Sequence, residues 1–160
     1  MNTKINAFKK DNKFLYYLKH AIISLVLGVL IALGISLACG YKYKIVASGS
    51  MLPTLKITTL IVVAPVSYND LEVGDIITYS SANKMYTFTH RVVDFNDDGL
   101  AITKGDNNPQ RDGAVARDRL VGKVIMHFDG LGAVITYLKQ NIFMVGLVLV
   151  YLFLMYLIFS

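Results

Sequence analysis

The stretch TFTHRVVDFNDDGLAITK, residues 87–104, decides the fold class of the polar middle of this chain. Residues 87–93 alternate polar and apolar side chains, which is the pattern of a β-strand with one buried face. Residues 96–99, Asn-Asp-Asp-Gly, are typical of a hairpin turn in which the glycine adopts a positive φ. The stretch therefore predicts a β-hairpin that pairs residues 88–94 with residues 101–104.

Similar runs rich in Val, Ile, Thr and Tyr lie on both sides of this hairpin and are separated by turn residues. This spacing is typical of an antiparallel β domain. Helical periodicity is weak in the middle of the chain except over residues 131–138. The further predicted strands are residues 42–47, 59–66, 75–79 and 121–128. The fold class of the middle is therefore predicted to be mainly β and antiparallel.

Two long uncharged blocks, residues 21–39 and 142–160, flank this domain. Each reaches the length of about 20 residues that a helix needs to cross a bilayer. The chain is 54% hydrophobic, which is too apolar for an ordinary soluble domain of its length. We therefore predict four segments. They are a basic cytoplasmic tail over 1–19, a transmembrane helix over 20–40, an extracytoplasmic β-rich domain over 41–140 and a second transmembrane helix over 141–160.

The net charge of +5 is concentrated at the N-terminus. Residues 1–19 carry five lysines against one aspartate, a net charge of +4, whereas residues 41–139 carry eleven basic and ten acidic residues, a net charge of +1. A basic excess beside a first span favours a cytoplasmic N-terminus. A nucleic-acid-binding domain would carry the excess on its folded part, so we expect no nucleic-acid partner.

The single cysteine, Cys39, allows no intrachain disulfide. It follows Ala38 in a sequence that approaches a lipidation motif, but Ser36 stands where that motif has leucine. The histidines are scattered and the cysteine lies in a predicted span, so we expect no metal site and no cofactor.

Hydrolysis by a serine requires a nucleophile, a base and donors for the oxyanion. Ser50 lies in a predicted turn whose backbone is restricted by Gly49 and Pro53, which suits a fixed and exposed hydroxyl. His90 is predicted on the apolar face of its strand, where a histidine is more often a core residue than a catalyst. The polar loop that holds Asp106 and Asp112 would by itself be an ordinary solvated loop.

Taken together and in order, four stretches resemble the type I signal peptidases, in the endoplasmic-reticulum or archaeal-like branch that uses histidine as the base. The likeness extends from about Tyr41 to His127 and includes the preceding span. The four stretches are Ser48-Gly49-Ser50-Met51-Leu52-Pro53, Leu71-Glu72-Val73-Gly74-Asp75-Ile76-Ile77, Thr89-His90-Arg91, and Gly105-Asp106-Asn107-Asn108 with Asp112.

This resemblance implies a β-rich catalytic domain of the signal-peptidase type, flanked by transmembrane helices. It implies that Ser50 attacks the peptide carbonyl, that His90 is the general base and that Asp112 orients His90. The oxyanion hole would consist of the Ser50 backbone N–H and the Ser48 hydroxyl. Met51, at the rim of the substrate-binding site, and Pro53, in the same box, would contact the substrate. The implied partners are secretory preproteins with signal peptides and the lipid bilayer, and a need for accessory membrane subunits is left open.

The residues alone do not decide which aspartate supports His90, because Asp106 and Asp112 are six residues apart in one loop. Asp106 lies between Gly105 and Asn107, a setting in which a carboxylate commonly caps backbone N–H groups. The resemblance places the triad acid at Asp112. We therefore expect Asp112 to orient the imidazole and Asp106 to organise the loop.

The position of Ser50 gives a separate argument for the substrate. Ser50 follows Gly40 by ten residues, so an extended chain carries it at most about 35 Å from the end of the span. Signal peptides are cleaved just outside the bilayer, after small residues. A nucleophile held this close to the membrane surface lies near the peptide bond that is cleaved, which lowers the entropic cost of bringing the two together.

Two other functions fit parts of the sequence. A membrane-anchored β domain that binds or scaffolds exported proteins would use Ser50 and His90 only structurally. An autocleaving Ser-Lys protease of the repressor type would need a lysine at the base position, where His90 stands. We expect the protein in the cell membrane, with two spans and its catalytic domain outside the cytoplasm.

Overall fold

The computed structural model describes the backbone of residues 2–159 and the side chains of residues 13–158, in two compact units that divide after Tyr41. The first unit consists of helix α1 (Asn2–Ala38). Its segment Lys13–Ala38 is 26 residues long and contains an 18-residue window with a mean hydropathy of 2.7, so it is long and apolar enough to cross a membrane. The side chains of Lys4, Lys9, Lys10 and Asp11, which belong to the predicted basic tail, lie outside the described residues.

The second unit is built on one seven-stranded sheet in which all neighbouring strands are antiparallel, as predicted. The strands follow the spatial order β1-β2-β7-β3-β4-β5-β6. All six predicted strands are present, whereas β6 was not predicted because two residues are too few to show periodicity. The strands are β1 (Lys42–Ile45), β2 (Leu60–Ala64), β3 (Ile76–Ser80), β4 (Thr87–Phe95), β5 (Ala101–Lys104), β6 (Ala114–Val115) and β7 (Leu120–Phe128).

The predicted hairpin is formed by β4 and β5, which pair from Arg91↔Lys104 to Phe95↔Ala101. Gly99 has a φ of +69° in the turn, and its N–H donates to the Asn96 carbonyl at 2.8 Å. Most residues avoid this conformation, so the glycine lets the turn close without strain. The hairpin therefore forms for the reason that the sequence indicates.

Cross-strand pairing puts three polar side chains on one face of three neighbouring strands. Ile77 and Tyr79 of β3 stand opposite His90 and Phe88 of β4, and Val92 of β4 stands opposite Thr103 of β5. Because alternate residues of a strand share a face, Tyr79, His90 and Thr103 project to the same side. His90 is only 7% exposed, which confirms its predicted place on the apolar face.

The chain ends in two helices, α2 (Leu131–Gln140) and α3 (Ile142–Phe159). The first confirms the weak helical signal over 131–138. Near its start a side chain on Gly132 would place its Cβ 2.3 Å from the Thr58 carbonyl oxygen, so glycine allows α2 to pack against the β2 side of the domain. The two helices meet at an angle of 81°. They are long and apolar enough to cross a membrane only if the bent pair is counted as one span. The second span therefore stays a prediction.

Candidate active site

The turn that carries Ser50 is anchored in the core by two apolar side chains that follow this serine. Met51 and Leu55 are 1% and 0% exposed and pack with Ile61 and Val63 of β2. The Leu55 N–H donates to the Met51 carbonyl at 2.8 Å, which closes the turn. Ser50 itself is only half-buried. Burial of its neighbours therefore holds the serine hydroxyl in place at the surface of the domain.

Ser50, His90 and Asp112 lie together in one hydrogen-bonded row. Ser50 Oγ is 3.1 Å from His90 Nε2, and His90 Nδ1 is 2.6 Å from Asp112 Oδ2. A carboxylate only accepts, so Nδ1 carries the hydrogen of the second bond. Nε2 then has its lone pair free to accept the Ser50 hydroxyl hydrogen. This is the arrangement that a serine nucleophile and a histidine base require.

Asp112 is held at the end of β5 by backbone and side-chain contacts. Its N–H donates to the Thr103 carbonyl at 2.7 Å. Its Oδ2 accepts from the Thr103 hydroxyl at 2.8 Å and from the Tyr79 hydroxyl at 3.3 Å. The sequence interpretation missed Tyr79 and Thr103. Each of them projects from a neighbouring strand to the same face of the sheet as His90. This relation can be recognised only once the strand pairing is known.

Asp106 has different partners. Its carboxylate accepts from Arg91 Nε at 2.9 Å and Nη2 at 2.7 Å, and from the Thr54 hydroxyl at 2.5 Å. Arg91 also donates to the Gly74 carbonyl at 2.9 Å. The hydrogen bonds from Arg91 hold the pKa of Asp106 below its ordinary range. Asp106, which the sequence offered as a candidate catalytic residue, therefore connects its loop to β4 and to the turn that carries Ser50. The aspartate that contacts the imidazole is Asp112.

The loop that follows β5 also holds the backbone of the turn that carries Ser50. The Asn107 N–H donates to the Ser50 carbonyl at 2.8 Å, and Asn107 Nδ2 donates to the Gly49 carbonyl at 3.3 Å. A Cβ on Gly105 would lie 2.6 Å from the Ser50 carbonyl oxygen. Glycine is needed there because no side chain fits between the loop and the turn. The Ser50 carbonyl consequently points into this loop.

The two predicted oxyanion donors lie beside the Ser50 hydroxyl. Ser48 Oγ is 3.3 Å from Ser50 Oγ. Within the described part of the chain, the backbone N–H of Ser50 donates to no protein acceptor. An oxyanion hole requires donors that face the developing negative charge, so this role of the Ser48 hydroxyl and the Ser50 N–H stays a prediction.

A cleft of about 370 Å³ opens beside the Ser50–His90 pair. Met51 lines this cleft, but its side chain is 1% exposed and packs in the core with Leu55, Ile61 and Val63. Its role as a substrate contact stays a prediction. Pro53, the other expected substrate contact, is exposed and is not among the lining residues. The cleft is lined by residues 44–48 and 87–90 and by Ser50, Met51, Leu55 and Ile61.

Other groups that could carry chemistry are few. Over residues 13–158, no cluster of three or more His, Cys, Asp and Glu side chains is arranged to hold a metal ion. The lysine in the cleft, Lys44, donates to the Thr87 hydroxyl at 3.2 Å. The group that contacts the serine is therefore an imidazole, and the lysine base of the repressor-type alternative does not occupy that position.

Comparison with known proteins gives a partial similarity. No protein-family model matches the chain. The chain is 41% identical over 87 residues to Signal peptidase I W of Bacillus subtilis (strain 168). The alignment covers 51% of this chain and 45% of that protein, so the chain spans about half the length of the curated relative it matches. Over about half of its own length, this chain is thus similar to a signal peptidase I.

Proposed function

We propose that this protein is a membrane-bound serine endopeptidase that removes N-terminal signal peptides from secretory preproteins. The observation that carries the proposal is the row Ser50 Oγ, His90 Nε2, His90 Nδ1 and Asp112 Oδ2, with separations of 3.1 and 2.6 Å, at the edge of an open cleft. The partial similarity to a signal peptidase I supports the substrate class. The histidine at the base position favours the branch with a Ser-His pair.

In the proposed reaction each of these groups has one role. Ser50 Oγ attacks the carbonyl carbon of the scissile bond while His90 Nε2 takes the hydroxyl hydrogen. The imidazolium passes that proton to the leaving nitrogen as the C–N bond breaks, and the signal peptide stays as an ester on Ser50. Water, activated by the same imidazole, then hydrolyses the ester. Asp112 holds Nδ1–H in place throughout and stabilises the imidazolium.

The cleft suits an extended peptide. Its walls are β1, the edge strand of the sheet, and residues 87–90 of β4, which precede the pairing of β4 with β5. Both walls therefore present backbone groups to which a substrate strand can add. Small side chains at the cleavage site are expected to bind next to Ser50, where Ala47, Met51 and Leu55 contribute apolar atoms to the lining.

We propose a topology in which α1 anchors the chain in the cell membrane with its N-terminus in the cytoplasm. The lysine excess over residues 1–19 supports this orientation. The β-rich domain, residues 41–140, then faces the outside, and α3 lies in the second span over 141–160. Preproteins then reach the cleft from the same bilayer.

The N-termini of the extracellular proteome test this proposal directly. Cells that lack the protein are expected to retain signal peptides on a defined set of exported proteins, and the wild-type gene restores cleavage after small residues. If Ser50 is the nucleophile, a gene that carries Ser50→Ala does not restore processing. If the domain only binds or scaffolds exported proteins, the same gene does restore it. Identical N-termini in cells with and without the protein would contradict the peptidase proposal.

Ser48→Ala is expected to reduce turnover by about 10²–10³-fold, because one of two oxyanion donors is lost. The 3.3 Å contact to Ser50 Oγ places the Ser48 hydroxyl next to the reacting centre. Steady-state cleavage of a purified preprotein should show the loss mainly in kcat. If Ser48→Ala cleaves like the wild type, Ser48 is only a turn residue.

A further inference from the structure

Tyr79 lies directly behind the Asp112–His90 pair and has no part in the mechanism above. Its hydroxyl oxygen is 3.3 Å from Asp112 Oδ2, 3.2 Å from Thr103 Oγ1 and 3.5 Å from His90 Nδ1. The ring meets the imidazole edge-on, with 6.3 Å between the ring centroids. The side chain is 5% exposed and does not line the cleft beside Ser50.

The hydroxyl of Tyr79 acts as a donor in this setting. Burial raises its pKa to about 12, so the phenol keeps its hydrogen throughout the neutral range. Thr103 has a single hydroxyl hydrogen, and its shorter contact, 2.8 Å, is to Asp112 Oδ2. The Tyr79 hydrogen is then available to the same carboxylate oxygen. Three donors, one each from β3, β4 and β5, thus converge on Asp112 Oδ2.

We propose that Tyr79 is a positioning residue that, together with Thr103, fixes the Asp112 oxygen facing His90 Nδ1. This inference rests on the proposed peptidase activity and adds a residue to it. A carboxylate that accepts one hydrogen bond can rotate about its side-chain torsion. Three donors that converge on one oxygen restrict the carboxylate to a single orientation. The imidazole tautomer and the direction of Nε2 toward Ser50 depend on that orientation.

Tyr79→Phe is the sharpest test, because it removes one oxygen atom and keeps the ring in the core. We expect kcat to fall about tenfold, as for the loss of one hydrogen bond to a charged group, with KM nearly unchanged. We also expect the midpoint of the pH–activity profile to move upward. A carboxylate that has lost a donor carries more unshared negative charge, so it stabilises the imidazolium more strongly.

The other charged groups near the imidazole are unaltered by this substitution. They are Asp112 and Asp106 in the loop after β5, Arg91 on β4, and Arg119, whose guanidinium lies 5.7 Å from the Tyr79 ring centroid. A shift of the midpoint therefore reports the missing hydroxyl. A purely structural role would lower the amount of folded enzyme without moving the midpoint.

Tyr68→Phe is a matched control in the same core. The Tyr68 hydroxyl donates to the Val115 carbonyl at 2.5 Å and accepts from the Ala101 N–H at 2.7 Å, and it packs against the cluster that contains Tyr79. It contacts neither His90 nor Asp112, so this variant should lose stability and keep the wild-type midpoint. Thr103→Ser, which retains a hydroxyl, should keep kcat within about threefold, whereas Thr103→Val should resemble Tyr79→Phe.

The experiment measures preprotein cleavage by the full chain in detergent micelles, and the NMR titration of the His90 ring in the same samples. A tenfold lower kcat with a raised midpoint in Tyr79→Phe and Thr103→Val, but not in Tyr68→Phe or Thr103→Ser, supports the inference. Wild-type kcat per folded molecule, or an unmoved NMR midpoint, overturns it. The NMR titration requires no cleavage, so an inactive wild type would reject the proposed function while the contact is still tested.

Discussion

Ser50→Ala is expected to reduce signal-peptide cleavage by roughly 10⁴-fold or more, because the nucleophile of the proposed reaction is absent. The fold should be little affected. Ser50 Oγ contacts Ser48 Oγ and His90 Nε2 near the surface, and the turn is held by the buried Met51 and Leu55. The free energy of unfolding should therefore change by no more than about 0.5 kcal/mol.

Cleavage of a purified preprotein and covalent labelling by a serine-directed acylating reagent both measure this effect. The wild-type chain should incorporate one label, and Ser50→Ala none. Ser67→Ala is a suitable control, since it removes an exposed serine hydroxyl from a loop outside the cleft. Near-normal cleavage by Ser50→Ala would reject the serine-peptidase mechanism.

Asp112→Asn is expected to lower turnover by up to about 10⁴-fold with the fold retained. The amide group that replaces the carboxylate can donate to Nδ1 and so select the tautomer that carries its hydrogen on Nε2. An Nε2–H cannot accept the Ser50 hydrogen, so the base is lost although every residue is close to its native position. Single-turnover cleavage and the thermal midpoint together separate this effect from unfolding.

Asp106→Asn is the matched variant six residues away in the same loop. It removes the charge that pairs with Arg91 and that accepts from Thr54. We expect a loss of about 1.5–3 kcal/mol of stability, as for hydrogen bonds to a charged group, with activity that follows the amount of folded enzyme. A stable but inactive Asp106→Asn beside an active Asp112→Asn would reverse the two roles.

The loss of stability at acidic pH provides a second test of the ion pair between Asp106 and Arg91. Its pKa is depressed in the folded state, chiefly by the Arg91 hydrogen bonds, so its contribution is present above the unfolded-state pKa and is lost as the pH falls. The stability difference between the wild type and Asp106→Asn should thus be full at neutral pH and shrink below about pH 4. A difference that is constant down to pH 2 would contradict this ion pair.

Several features were predictable from the sequence because their physical causes are local. Alternation over residues 87–93 identified β4 and the apolar face on which His90 lies, and the Asn-Asp-Asp-Gly turn identified the hairpin. The uncharged block at the N-terminus identified α1 as a helix able to cross a membrane. In each case neighbouring residues carry the information, since hydrophobic periodicity and turn chemistry act within a few positions of the chain.

Contacts between strands that are far apart in the sequence required the tertiary structure. Only the pairing of β3, β4 and β5 brings Tyr79 and Thr103 to the face of His90. Only the path of the loop after β5 directs Asp112 to Nδ1 and Asp106 to Arg91. Periodicity states which face a residue occupies and not which distant residue shares that face, because register and loop path depend on the packing of the whole sheet. For the same reason Met51 was expected at the rim, and the core that buries it became apparent only from the fold.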